Sequence, residues 1–299
     1  MRLDRRAFLS TAVAGTAGAV AATRMGAAVA APADPAGLVP LGRLHVPRIG
    51  MGTGVRAGNR VSAQTRMGRE VFEEVIRYAY DSGVRLFDLA DLYGSHEYLA
   101  RVLGDEPRES YYLVSKLWFR PGGLPEPHRD DADVGVKRFL DELQTDYIDI
   151  VQIHCMTDAD WTDSMRKQMD LLEKCREEGL IRAHGVSCHS LAALKAAAED
   201  PWVDIVHARI NPFGEKMDGP PEEVVPVLEQ IHEAGKGVIG MKIIGEGAFS
   251  ADSEKCEESV RYTLGLGCVD VLIVGFMHNE EIDDFKARVA RGLAANAAG

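Results

Sequence analysis

Short apolar runs rich in valine and isoleucine alternate with longer amphipathic runs along most of this chain. That alternation restricts the fold more than any single motif does. The strand-like runs are "RIGMGT", "RLFDLA", "YYLVSKLW", "YIDIVQIHC", "RAHGVS", "VDIVHARI", "GVIGMKII" and "VDVLIVGF". Helix-like runs follow them at 70–81, 96–103, 133–143, 163–178, 191–198, 221–234, 255–265 and 279–292. In "MRKQMDLLEKCREEG", Met165, Met169, Leu172 and Cys175 recur at the spacing of a one-sided helix, and Gly179 stops it. Strands alternating with helices call for parallel pairing through crossover connections. Eight such units predict a (β/α)8 TIM barrel, with "LVPLGRLH" as a short N-terminal hairpin. A doubly wound open sheet is the alternative, weakened because no GxGxxG follows the first strand.

The first 37 residues read as an address rather than as part of the fold. "DRRAFLS" precedes a weakly apolar run, Thr11 to Thr23, which is too short and too rich in glycine and alanine to anchor in a bilayer. Arg24 and "AAVA" at 27–30 follow, with an A-x-A-like cleavage site, then the linker "APADPAG". The paired arginines before x-Phe-Leu resemble a twin-arginine signal peptide. The expectation is a signal and linker over 1–37 and a barrel over 38–299. It follows that the protein is cytoplasmic before export and periplasmic or extracellular after it. Its partner on the way is the twin-arginine export machinery, and no membrane anchor remains after cleavage. An uncleaved tail is the plain alternative.

Charge narrows the partners. The chain carries 46 acidic against 34 basic residues, net −12, and its first 30 residues hold four arginines against one aspartate, so the body is more acidic still. Such a surface repels nucleic acid and anionic membrane and favours small-molecule partners. The five cysteines form no CxxC pair and are odd in number, so buried free thiols are expected, not a disulfide framework.

In a barrel of this kind chemistry sits at the C-terminal ends of the strands. The second strand ends on Asp88 with Tyr93 in the following loop, the third on Lys116, the fourth on His154. A phenol has a pKa of about 10, too high for ready proton transfer at neutral pH. A nearby ammonium lowers it, and an aspartate holds the ammonium in place. A neutral imidazole can orient a carbonyl and stabilise the oxyanion developing on it. The set suits protonation of a carbonyl oxygen while hydride reaches the carbon. Nothing in it supplies hydride, so a nicotinamide cofactor is implied.

"FDLADLYG", "SKLW", "IHC", "IRAHGVS" and "INP", in this order, together resemble the aldo-keto reductases over about 38–285. The resemblance implies a metal-free barrel that interconverts aldehydes or ketones and alcohols with NADP or NAD. It casts Tyr93 as general acid, Lys116 and Asp88 as its tuning pair, and His154 as the residue that orients substrate. It also implies cofactor contacts. Where the family shows Ser-Asn on the nicotinamide carboxamide, this chain has Ser187 followed by Cys188 and His189; where it often has glutamine, this chain has His207, with Arg209 and Asn211 nearby. Arg209 reads as a clamp for an acidic substrate or phosphate, or equally as half of an internal salt bridge. Lys242, in "GMKIIGEG", can hold the pyrophosphate.

Gly275 and Asn279 begin the segment where NADP-preferring members carry lysine or arginine, and Asn279 equally suits a helix cap. Here Glu280, Glu281, Asp283 and Asp284 follow instead, which argues against strong NADP preference. On the substrate side, Trp118, Phe119 and Trp161 are candidate aromatic walls or equally plain packing residues, and 120–131 reads as a mobile loop over an open pocket. Two rival readings stand: a binding module on the same barrel with little turnover, and a metal-dependent hydrolase using His154, Cys188, His189 and His207.

Overall fold

The computed structural model describes residues 37–298. The signal-peptide, cleavage and export expectations fall on residues 1–36, outside that range. The strands are β1 (Leu38–Leu41), β2 (Leu44–Pro47), β3 (Ile49–Gly52), β4 (Leu86–Asp88), β5 (Tyr112–Leu117), β6 (Ile148–Met156), β7 (Ile181–Cys188), β8 (Ile205–Arg209), β9 (Gly237–Met241) and β10 (Val271–Gly275). The helices are α1 (Ala63–Arg66), α2 (Arg69–Asp81), α3 (His96–Leu103), α4 (Ala132–Leu143), α5 (Trp161–Ser164), α6 (Arg166–Glu177), α7 (Leu191–Glu199), α8 (Pro221–Glu233), α9 (Ser253–Gly265) and α10 (Asn279–Ala298).

Strands β3 to β10 close into one barrel, with β10 pairing back to β3 and every barrel pair parallel. The antiparallel pair β1–β2 stands before it as the expected hairpin. The open-sheet alternative is thereby excluded. The run expected as one helix over 163–178 is two. Met165, at φ −100° and ψ 7°, separates α5 from α6. The short first piece is pinned by Trp161, whose indole N–H donates to Ala193 O at 3.1 Å.

Side-chain alternation sorts the barrel into layers. Leu86, Val114, Ile150, Ala183, Ile205, Ile239 and Val271 form an interior apolar cluster that Val39, Leu41 and Val46 of the hairpin join. Two residues further along a strand the side chain points inward again, because the strand period is two. Those positions carry Asp88 on β4, Lys116 on β5, Gln152 on β6 and His207 on β8, all buried. One more step brings His154, Ser187 and Arg209. The barrel therefore changes from apolar to polar along its own axis. The intervening outward residues, such as Phe87, Val151, Val186 and Val206, belong to the larger core between strands and helices. The five cysteines are free and buried.

Candidate active site

The turn that carries Tyr93 follows β4. It is a 3₁₀ turn, Asp91–Tyr93, and Gly94 leaves it in the left-handed region at φ +67°. A Cβ at Gly94 would lie 1.9 Å from the carbonyl oxygen of Arg60, so only glycine fits after the tyrosine. Buried Asp91 anchors the turn through Arg60 at 3.1 Å and Arg138 at 2.9 Å. The tyrosine ring lies flat against the chain just past β3. A Cβ on Gly54 would sit 2.3 Å from its Cζ. Gly54→Ala should therefore displace the ring and cost about 1–3 kcal/mol by overpacking. We expect a lower Tm together with at least a tenfold loss of turnover, which thermal melts and initial rates on the same preparation would check; an unchanged rate would mean the ring position is irrelevant.

Lys116 is 1% exposed and its ammonium is bound to the Asp88 carboxylate. It also donates to Leu89 O at 2.9 Å, and it stands 5.1 Å from the centre of the Tyr93 ring. Thr53 fixes this end of β4 by donating through Oγ1 to Asp88 O at 2.9 Å. His154 meets Tyr93 edge-on at 5.7 Å between ring centres, and Trp118 and His189 meet His154 edge-on at 5.3 and 6.2 Å. The four residues picked from strand ends thus converge on one place at the barrel mouth.

Electrostatics set their proton states. Burial alone would raise the Asp88 carboxyl, but Lys116 and His207 overcome it and hold it below the ordinary value. Burial lowers Lys116, with Asp88 opposing. Burial and the neighbouring Lys116 and His189 push His154 well below the ordinary histidine value, so its ring is neutral. Tyr93 moves opposite to the expectation. Burial, then the negative charge of Asp88, raises the phenol well above 10. The reason is visible in the contacts: the Lys116 ammonium is committed to Asp88 and Leu89 O. A phenol that keeps its proton is a donor, not a base.

A groove of about 420 Å³ leads away from Asp88 and Tyr93. Its walls come from the end of β3, the segment after β9, the end of β10 and the start of α10, including Gly54, Lys242, Ile243, Gly275, Phe276, Glu281, Asp284, Phe285 and Arg288. Gly275 lines it, and a Cβ there would meet Val55 at 2.3 Å, so a side chain would narrow the groove where β10 ends. Ser187 Oγ, His207 Nδ1 and Asn279 Oδ1 are buried without hydrogen-bond partners.

The expected cofactor residues divide here. Lys242 and Gly275 line the groove. Lys242 is tied to Glu246 at 2.5 Å. His207 does not reach the groove. It is fully buried with Nε2 3.1 Å from Asp88 Oδ1, out of line for a hydrogen bond, because its inward step on β8 falls in the Asp88–Lys116 layer. Asn211 is spent on its own loop: its amide donates to Glu215 O and Lys242 O and accepts from Phe213 N–H and Glu215 N–H. Asn279 begins α10.

On the substrate side, Trp161 is core packing rather than a wall. Arg209 takes the internal option, with Asp218 at 3.1 Å, and its other amino group donates to His189 Nδ1. The loop after Trp118 is tethered. Trp118 Nε1 and Arg129 both donate to Gly122 O at 2.6 Å, and Asn59 N–H donates to Gly123 O at 2.7 Å. Cys188 points outward into the core between strands and helices, which removes it from the set a metal hydrolase would need. Gly54, Asp218 and Glu246 were not singled out from the sequence. Only Gly54 carried a signal, a glycine directly after the first barrel strand.

The sequence pattern of the Aldo/keto reductase family matches residues 48–264. The chain is 26% identical over 194 residues, 62% of its length, to the uncharacterized oxidoreductase YqkF of Bacillus subtilis (strain 168), and covers 61% of that protein. It is 25% identical over 156 residues to methylglyoxal reductase DkgB of Escherichia coli O157:H7, covering 52% of each. The match thus spans between half and about three-fifths of the length of these relatives. The holo aldo-keto reductase from Bacillus halodurans superposes with a TM-score of 0.67 at 20% identity, over 87% of this chain and 96% of that one. The aldo/keto reductase from Klebsiella pneumoniae in complex with NADP and acetate gives 0.64 at 19% identity, over 84% and 89%. At these identities the two structures speak to the fold.

Proposed function

The chain belongs to the aldo/keto reductase family, and from that membership we propose that it is a nicotinamide-dependent oxidoreductase that reduces an aldehyde or ketone to the alcohol, or runs the reverse. The observation that carries the reading is the buried Lys116–Asp88 pair beside Tyr93, with neutral His154 edge-on to the same ring. The cofactor supplies hydride to the carbonyl carbon. Tyr93 gives its proton to the carbonyl oxygen, and the C=O bond becomes CH–OH. His154, neutral, orients that oxygen and donates to it as charge builds. Asp88 and Leu89 O hold the Lys116 ammonium charged and still beside the Tyr93 ring.

Lys242 and Gly275, which line the groove, are the residues we assign to the cofactor, and the buried, unpartnered Ser187 hydroxyl joins them on the family resemblance alone. The reading favours NAD. Glu281 Oε2 accepts from Met277 N–H at 2.7 Å and His278 N–H at 3.3 Å, so a carboxylate already occupies the amides that open α10. Glu281 and Asp284 both line the groove, and a 2'-phosphate at this end would meet them. Parallel titrations of the full-length protein with NADH and NADPH test this. NADH should bind at least tenfold more tightly, and Glu281→Arg should narrow the ratio. Tighter NADPH binding overturns the preference, and saturable binding of neither overturns the reductase reading. The same proposal takes the protein to be exported by the twin-arginine route, on the arginine pair Arg5 and Arg6.

A further inference from the structure

Resting on the reductase reading, we propose that the substrate is a carbonyl compound that also carries a carboxylate, an oxo acid or semialdehyde acid, and that Arg120 anchors that carboxylate. The argument begins with an imbalance. Three cations near the mouth each have a carboxylate: Lys116 has Asp88, Arg209 has Asp218 and Lys242 has Glu246. Arg120 has none within ion-pair reach among the described residues. The groups it meets are neutral: one amino group donates to Cys155 O at 3.1 Å and lies 3.3 Å from Cys155 Sγ. Its guanidinium stands 6.0 Å from the Trp118 ring.

A chain with 46 acidic against 34 basic residues has carboxylates to spare. A half-buried arginine left unpaired in such a chain leaves net positive charge at the mouth. The position is also specific. Cys155 directly follows His154, and Trp118, the other group beside Arg120, packs edge-on against the same imidazole. Cys155 itself adopts φ +64°, rare for a residue with a side chain, where the β6–β7 register shifts between Ile153 and Met156. Such backbone is retained where surrounding contacts demand it, often at functional sites.

The remaining donors of Arg120, Nε and the second amino group, make no protein hydrogen bond among the described residues. A guanidinium edge of that kind takes a carboxylate in two parallel bonds. The surrounding field agrees with the geometry. Burial and then Arg209, Lys242, Lys116 and Arg120 together drive His189 down to about 2, so this ring stays neutral among four cations. Three of the four are neutralised by their own carboxylates, so an anion arriving here meets the uncompensated charge of Arg120, and the neutral His154 and His189 rings add no competing charge.

The test compares oxo acids from glyoxylate to 6-oxohexanoate with unsubstituted aldehydes of equal chain length, using the full-length protein and NADH or NADPH. At least one acid should exceed its aldehyde in kcat/KM by roughly ten- to a hundredfold, the range of a charge-assisted contact. Arg120→Gln should bring that ratio toward one, and Arg120→Lys should restore part of it. Equal values for acids and aldehydes, or a preference that survives Arg120→Gln, overturns the proposal and leaves the reductase reading standing. Calorimetric titration with succinate and with succinamide, in wild type and Arg120→Gln, separates the two ideas. If neither acids nor aldehydes turn over, the reductase reading falls. The anchor then stands if succinate alone binds and loses its affinity in the variant, and falls otherwise.

Discussion

Replacing Tyr93 by phenylalanine should abolish carbonyl reduction and leave nicotinamide binding within about threefold of wild type. The expected loss in kcat is about 10²–10⁴, the usual contribution of a positioned proton donor. In the proposed reading the phenol is the proton donor: burial and Asp88 hold it well above the ordinary tyrosine value, so it keeps its proton at neutral pH. His154, pushed well below 6.5 by burial and by Lys116, has no second proton to give at neutral pH. The pH profile of reduction follows from these directions. An acid works while protonated, so the rate should hold steady from pH 6 to 8 and fall only in the alkaline range, above roughly pH 10. Single-turnover rates across that range, in wild type and Tyr93→Phe, would check both statements. A break near pH 6.5, or a variant retaining more than a tenth of the rate, would move the proton donor to another group.

The second large effect is on stability. Lys116→Met leaves Asp88 buried with only His207 beside it. Removing one partner of a buried pair costs about 3–5 kcal/mol. At about 2–4 °C per kcal/mol for a domain of this size, Tm should fall by roughly 6–20 °C. The deficit should depend on pH with a definite sign. In the wild type Asp88 titrates below its ordinary value, so the pair contributes stability above the ordinary aspartate range and loses it on acidification. In the variant burial acts with less opposition and raises the carboxyl, so protonation relieves the cost. The gap in Tm between the two proteins should therefore shrink as pH falls from 7 towards 4. The double variant Asp88→Asn, Lys116→Met should recover most of the loss, since no charge stays buried alone. Scanning calorimetry of the three proteins decides it, and a gap independent of pH would mean that lost packing, not the uncompensated carboxylate, causes the deficit.

Strand-end reading found Asp88, Tyr93, Lys116 and His154 because alternation along a barrel strand is a local property, and the layer a residue joins follows from counting in twos. The same counting, applied to β8, would have placed His207 in the Asp88 layer; resemblance alone put it at the cofactor. Asn211 and Trp161 depend on something counting does not reach. Whether an amide serves a ligand or its own loop, and whether an indole walls a pocket or fills a core, depends on partners such as Lys242 and Ala193, 31 and 32 residues away in sequence.

By itself the sequence determined the (β/α)8 topology, the hairpin before it, and the strand ends that carry the acid, the ammonium and the imidazole, since each depends on spacing along the chain. Tertiary structure alone decided which charges are neutralised. Arg209 and Arg120 look alike in sequence, yet among the described residues one is paired with Asp218 and the other faces Cys155 and Trp118. It also decided the sense of the Tyr93 shift, because an ammonium already bound to a buried carboxylate has little charge left to lower a phenol, while burial acts on that phenol without opposition.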